Sequence, residues 1–250
     1  MKNQKRIVIV GATSAIAEHC ARLWVGNGAI DLTLVGRDSG KTERVAADLR
    51  VRSPQSMIRV RTTNFIDPLA IGQLVDEIIA EGAVDTVLIA HGSLPDQAAC
   101  QRDLTACRDA LEVNAVSPVL FAEAFAGPMQ KANHGTLAMI GSVAADRGRK
   151  SNYAYGAAKG LVTRYAQGLQ HRLAGSNVKV VLIKPGPTDT PMTAHLKQQG
   201  GRLADVADVA RTIVNAMNRG QAVVYAPAKW ALIMMVIRHL PSRIFNKLNI

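Results

Sequence analysis

Aromatic residues make up only 4% of this 250-residue sequence, and it has three cysteines, Cys20, Cys100 and Cys107. An odd cysteine count without Cys-x-x-Cys spacing excludes a disulfide framework and a structural zinc site, and fits a reducing cytoplasm. No apolar run approaches the roughly 20 residues needed to cross a bilayer, which excludes a spanning protein. The few aromatics leave little for base stacking. The basic residues are scattered, and no helix-turn-helix or finger spacing occurs, so nucleic acid is not an expected partner. Acidic residues are also short, 19 against 30 Lys and Arg, for a formal charge of +11. After Asp208 there are none, while Arg211, Arg219, Lys229, Arg238, Arg243 and Lys247 all lie there. That distribution points to anionic ligands or a membrane surface.

What remains is globular. The chain is 48% apolar and 20% charged, with a mean hydropathy of +0.07, too hydrophobic for disorder. Its length suits one core, so a single domain is expected over 1–226, followed by a basic and apolar tail over 227–250. Lys2, Lys5 and Arg6 before an apolar run imitate a signal peptide. Gly11, Thr13, Ser14 and Glu18 interrupt that run, which suits a first strand and its turn.

Short Val- and Ile-rich runs alternate with stretches of helical period. Strands are predicted at Ile7–Val10, Leu32–Val35, Ile58–Arg61, Val84–Ala90, Gly135–Ile140, Val178–Ile183 and Ala222–Tyr225. Helices are predicted at Ala15–Gly26, Lys41–Val51, Leu69–Ala80, Gln97–Met129 (broken near Asn114) and Tyr153–Leu173. Strands without polar alternation are buried on both faces, and the βα repetition implies a parallel sheet. An eight-stranded barrel and an open doubly wound sheet both fit the length. About seven strands, with a Gly-containing turn after the first, favour the open Rossmann-like α/β sheet.

That first turn, Gly11-Ala12-Thr13-Ser14-Ala15-Ile16-Ala17, brings backbone N–H groups and a helix start against a pyrophosphate, as in a dinucleotide site. An ordinary tight turn would look similar. The second strand ends Gly36-Arg37 with no acid to accept from a ribose 2′-hydroxyl, whereas the Arg37 guanidinium suits a 2′-phosphate. NADP is therefore favoured over NAD.

Tyr155 and Lys159, four apart on a predicted helix, share one face. Ser142 lies thirteen positions before Tyr155, and Asn114 falls where the long helical stretch is expected to break. Each alone has a structural explanation, as surface packing, a turn residue or a helix breaker. Together, behind a phosphate-type turn, they resemble the short-chain dehydrogenase/reductase family from Ile7 to about Tyr225.

The resemblance implies catalytic roles for Asn114, Ser142, Tyr155 and Lys159. Tyr155 would be the acid, with Lys159 lowering its pKa and bonding the nicotinamide ribose. Ser142 would polarise the carbonyl, and Asn114 would orient a water. The resemblance also implies cofactor contacts at Gly11, Thr13, Ser14, Ala15 and Ile16 in the turn, Arg37 after strand two, and Asn64 and Phe65 after strand three. Ala90 and Gly92 after strand four, Tyr155 and Lys159, and Pro185, Gly186, Thr188 and Thr190 after strand six complete that set. Ala15 and Ala17 stand where the family has glycines, Asn64 where it has aspartate, and Ile89-Ala90-His91 where it has Asn-Asn-Ala. A homodimer or homotetramer is also implied.

His91 is read as a hydrogen-bonding loop residue. His19, His134, His171, His195 and His239 lack metal spacing, so no metal is expected. Cys100 and Cys107 are expected to pack on one helix face. The stretch from Thr190 to Leu203, with Met192, His195 and Leu196, reads as a lid over the substrate. In the tail, Trp230–Ile237 is uninterruptedly apolar between Lys229 and Arg238. Two readings stay open: an interfacial anchor on anionic lipid at the inner face of the cell membrane, or packing on the sheet or another subunit. The tail, Arg37 and Ile89–Asp96 are also similar to the branch that reduces a polyprenyl-phosphate-linked keto-sugar. The leading function is therefore NADP-dependent reduction of a small-molecule or lipid-linked carbonyl, or the reverse oxidation. A catalytically silent dinucleotide sensor and a 3-oxoacyl-thioester reductase are the alternatives.

Overall fold

The computed structural model describes residues 4–198 and 200–248. Seven strands form its sheet: β1 (Lys5–Val10), β2 (Ile30–Gly36), β3 (Met57–Thr62), β4 (Thr86–Ile89), β5 (Thr136–Ile140), β6 (Lys179–Pro185) and β7 (Val223–Ala226). They lie in the order β3-β2-β1-β4-β5-β6-β7, all parallel. The chain starts in the centre, winds outward to β3, then returns to place β4 beside β1. That reversal leaves a crevice at the carboxyl ends of β1 and β4, where connections leave in opposite directions.

Central strands are apolar because both sheet faces are covered. On one face α1 (Ala15–Gly26), α2 (Ser39–Arg52) and α9 (Val206–Arg219) enclose a core that includes Ile9, Leu32, Leu34, Trp24 and Ile213. On the other, α3 (Pro68–Ala80), α6 (Ser117–Ala132) and α7 (Tyr153–Arg172) enclose Val10, Ile89, Phe121, Phe125, Met139 and Leu182.

The stretch Gln97–Met129 departs from the sequence reading. Its break lies at Asp103, which ends α4 (Gln97–Arg102) and caps α5 (Leu104–Leu111) by accepting from Thr105 N at 2.8 Å. At Asn114 the chain stays helical but widens into a π turn, Glu112–Val116, that runs directly into α6. The helix former pattern is unbroken there, whereas an aspartate competes for first-turn N–H groups and starts a new helix. Cys100 and Cys107 consequently sit on two helices instead of one face, although both pack in one small cluster with Ala110 and Ala154.

The tail forms α10 (Lys229–His239) and α11 (Ser242–Phe245). One side of α10 docks on its own domain. The Trp230 indole lies so close over Gly186 that any Cβ at 186 would collide with it, and Met234 is fully buried. Arg147 Nη1 donates to Ile237 O at 2.7 Å and Leu240 O at 2.5 Å, satisfying carbonyls left free at the helix end. Its guanidinium also lies 3.8 Å from the centre of the Phe245 ring. The other side of α10 stays bare, with Leu232 64% and Val236 52% exposed beside Met235 and Ile244. Among the described residues no helix is long and apolar enough to cross a membrane.

Candidate active site

Two adjoining cavities of about 440 and 360 Å³ occupy the crevice. They share Ser14, Ile16, His91, Gly92, Thr190 and Met192, and so form one trough.

The first cavity is built around the β1–α1 turn. Gly11 takes a φ of +83°, and a Cβ there would lie 2.6 Å from the His91 backbone N, so this position needs glycine. Ala15 and Ile16 line the trough, while Ala17 is fully buried in the α1-side core. The alanine that replaces a family glycine is thus absorbed by packing.

Helices α2, α3, α4, α5 and α9 start on aspartates whose carboxylates accept first-turn N–H groups, namely Asp38, Asp67, Asp96, Asp103 and Asp205. Helix α1 does not, because Ser14 makes no side-chain cap. Its free N–H groups and positive end face the trough, the arrangement an anionic ligand uses.

Beyond the turn lie Gly36, Arg37, Asp38 and Lys41. A Cβ at Gly36 would meet the Thr42 hydroxyl, so any side chain at this strand tip requires Thr42 to move. Arg37 is exposed and has no carboxylate partner among the described residues. Phe65 lines the cavity, but Asn64 does not. Its exposed carboxamide accepts from Ile66 N at 3.1 Å and folds back on its own loop. These features fit a nicotinamide dinucleotide: a backbone cradle that a Cβ would fill, an uncapped helix start, and cations at the far end.

The second cavity is lined by Ala90, Ser142, Tyr155, Lys159, Pro185, Gly186 and Thr188, with Met192 and Leu196 from the segment after β6. That segment is a 3-10 turn, Pro191–Thr193, followed by α8 (Ala194–Gln198); His195 is exposed and does not line the cavity. The π turn points Asn114 inward, where it is fully buried. Its Nδ2 donates to Ala110 O at 2.9 Å, and its Oδ1 accepts from Ser93 N at 2.8 Å. A Cβ on Gly92 would lie 2.8 Å from that Oδ1 and 3.4 Å from Lys159 Nζ, so the three groups adjoin. Ser142 Oγ accepts from Ala144 N at 3.1 Å, and its hydroxyl is the hydrogen-bonding neighbour of the Tyr155 phenol.

Burial dominates the electrostatics of the Tyr155–Lys159 pair. Lys159 Nζ donates to Ile140 O at 2.9 Å and stands 5.9 Å from the centre of the Tyr155 ring. Lys159, only 2% exposed, is pushed down to about 8 by burial. The Tyr155 phenol is pushed up to about 12 by burial, opposed only by the Ser142 hydroxyl. Burial is the leading cause at both groups.

His91 fits its loop role. Nε2 lies 2.8 Å from Ser117 Oγ, the ring stacks edge-on with Phe65 and Phe121, and burial lowers its pKa to about 3, so it is neutral.

Several residues of this region were missed in the sequence. Gln97 Oε1 accepts from Ala154 N at 2.9 Å, so a distant helix supplies the first-turn partner for α7 next to Tyr155. Asp146 accepts from Lys184 Nζ and, at 2.8 Å, from Tyr225 OH; this buried network ties the segment after Ser142 to β6 and β7. Arg149 and Asn152 line the second cavity. The position of Arg149 between Ser142 and Tyr155 was the available signal.

The short chain dehydrogenase family model matches residues 5–201. An uncharacterized oxidoreductase of Streptomyces coelicolor is 32% identical over 98% of this chain and 96% of its own length. One of Mycobacterium tuberculosis is also 32% identical, over 97% and 96%. Among solved structures, a short chain dehydrogenase from Burkholderia cenocepacia in complex with NADP superposes with a TM-score of 0.83, at 18% identity over 100% of both chains. One from Sphingobium yanoikuyae in complex with NADPH gives 0.81 at 20% identity, over 98% and 96%. At those identities the structural likeness is one of fold. The chain belongs to the short chain dehydrogenase family and is an NAD(P)-dependent oxidoreductase.

Proposed function

We propose that the chain uses NADPH to reduce a carbonyl to a secondary alcohol, with Tyr155 as proton donor. The observation that carries this reading is the joining of two cavities, one with Arg37 and Lys41 at its end, the other with Ser142, Tyr155 and Lys159. The lack of an acid at Gly36 and the exposed Arg37 guanidinium beside it support NADPH over NADH.

The turn from Gly11 to Ile16 would hold the pyrophosphate, Arg37 the 2′-phosphate, and Lys159 with the Pro185–Thr190 segment the nicotinamide riboside. The bound dinucleotide supplies the hydride. The carbonyl oxygen gains negative charge, and the Ser142 O–H holds and stabilises it. Tyr155 Oη then gives its proton to that oxygen. An alkoxide is a stronger base than phenolate even with the phenol at about 12, so the transfer runs downhill in the reducing direction. In the oxidising direction the same elevated value opposes proton removal.

The test is NADPH oxidation against sugar, steroid, acyl-thioester and simple ketones. Tyr155→Phe should lower kcat by about 10²–10⁴-fold and leave NADPH binding within a few-fold. Tight NADPH binding without turnover of any ketone would favour the silent sensor, and selective turnover of acetoacetyl thioesters the thioester reductase.

The bare face of α10 favours a second element, delivery of a lipid-linked carbonyl such as a polyprenyl-phosphate keto-sugar at an anionic membrane surface. Leu232, Met235, Val236 and Ile244 are exposed among Lys229, Arg238, Arg243 and Lys247. Leu232→Glu with Val236→Glu should abolish co-sedimentation with phosphatidylglycerol vesicles; equal recovery of both forms removes this element.

A further inference from the structure

Among the described residues, the buried side-chain atoms without a partner are Trp24 Nε1, His91 Nδ1, Gln97 Nε2, Arg149 Nε and Asn152 Oδ1. Two of these, Arg149 Nε and Asn152 Oδ1, belong to residues of the Ser142–Tyr155 connection that line the second cavity with Tyr155. A buried donor or acceptor left unmatched costs free energy, more so on a charged group.

Arg149 has no ion pair among the described residues. The carboxylate whose charge reaches it is Asp146, and that group is already engaged by Lys184 and by Tyr225. Burial depresses the guanidinium below its ordinary value, and the nearby Asp146 charge offsets only part of that. No aspartate or glutamate lines this cavity, whereas Lys159 adds a second cation to it. The rest of its wall is largely apolar, with Leu94, Val143, Met192 and Leu196.

We propose that Arg149 is a specificity-determining residue that binds an anionic oxygen group, a phosphate or a carboxylate, on the carbonyl substrate. The planar fork of N–H donors pairs two oxygens of such a group at once, and partial burial of the guanidinium strengthens the pairing. Asn152 Oδ1 stands ready for a hydroxyl of the same ligand. The proposal rests on the carbonyl-reductase reading for the carbonyl, but the anion site can be tested without turnover.

The experiment uses matched probes: dihydroxyacetone phosphate against dihydroxyacetone, 4-oxopentanoate against its methyl ester, and geranyl phosphate against geraniol. Binding is measured by calorimetry on the NADPH-saturated full chain carrying Tyr155→Phe, with and without Arg149→Gln or Arg149→Lys. Folding is checked by NADPH affinity and thermal midpoint. The anionic partner of at least one pair should bind about 10- to 100-fold tighter where Arg149 is present. Arg149→Gln should erase that advantage to within about twofold, and Arg149→Lys, which keeps the charge but loses the fork, should retain part of it.

The pair that responds identifies the anion as free phosphate, carboxylate or lipid-borne phosphate. No advantage in the Arg149 chain, or the same advantage in Arg149→Gln, overturns the proposal. An Arg149-dependent advantage in a chain that, with Tyr155 intact, reduces no ketone would keep the anion site and remove the carbonyl-reductase reading.

Discussion

The two ends of the trough handle charge in opposite ways. At the β1–α1 end the cations Arg37 and Lys41 share the wall with Glu18 and Asp38, and Arg37 lies in the open. At the Tyr155 end Lys159 is buried and Arg149 half-buried, with no carboxylate among the described lining residues. The first end offers mostly backbone, in the form of uncapped N–H groups and a glycine turn, which suits a ligand common to many proteins. The second offers desolvated side chains, where one missing partner is expensive and selectivity is correspondingly sharp.

The comparison breaks first at Arg37. Arg37→Gln should raise KM for NADPH by about 10- to 100-fold and that for NADH by less than about threefold, since only the former loses a charge-assisted pair. Equal changes in both would mean that this end does not read the 2′-phosphate.

The next largest effect concerns how the second end is held. Gly186→Ala places a methyl into the Trp230 indole and should cost about 1–3 kcal/mol of stability in chemical denaturation. Combined with Trp230→Ala, the loss should be smaller than the sum of the single losses, because the collision is gone. Additive losses would show that α10 does not bear on the Pro-Gly segment.

A smaller effect follows from burial of Lys159, whose proton leaves at about 8 in the fold against an ordinary 10.5. Between those values the unfolded chain binds more protons, so this group makes stability rise with pH across that window. Comparison with Lys159→Met isolates the effect. The variant should lack this rise, so its thermal midpoint should fall relative to the native chain from pH 8 to 10.5. Parallel profiles would place the native proton release elsewhere.

The smallest effect is expected at Asn64. Its carboxamide bonds Ile66 N and faces away from the cavity, so Asn64→Ala should change KM for NADPH by less than about twofold, as for an ordinary surface position. A larger rise would return Asn64 to the adenine contacts and make the first end more dependent on side chains than argued above.

Much of the fold was legible because its signals are local. Each strand of the sheet was found within a few residues of its bounds. Apolar runs without alternation report burial on both faces whatever lies across the sheet, and Ala15–Gly26 was found to the residue. The break at Asp103 was less visible. An aspartate inside an apolar pattern signals a cap only if the chain turns there, whereas the expected break at Asn114 became a π turn that aims a side chain. In the site, Ser142, Tyr155 and Lys159 could be singled out by spacing because they lie on one strand end and one helix face. Gln97, Asp146 and Arg149 carry no such spacing; their partners come from α7, β6, β7 or a cavity wall.

The sequence by itself determined the parallel α/β architecture, the position of the dinucleotide turn and the set of candidate catalytic side chains. These follow from hydrophobic period, glycine placement and residue type, all properties of neighbours in the chain. Only the tertiary structure decided what those side chains do to one another. It buried the Lys159 ammonium and the Tyr155 phenol, folded the Asn64 carboxamide onto its own loop, docked one side of α10 over Gly186 and left Arg149 without an ion pair. The reason is physical. Pairing and desolvation depend on which surfaces the fold brings within a few ångströms, and those surfaces come from segments far apart in sequence.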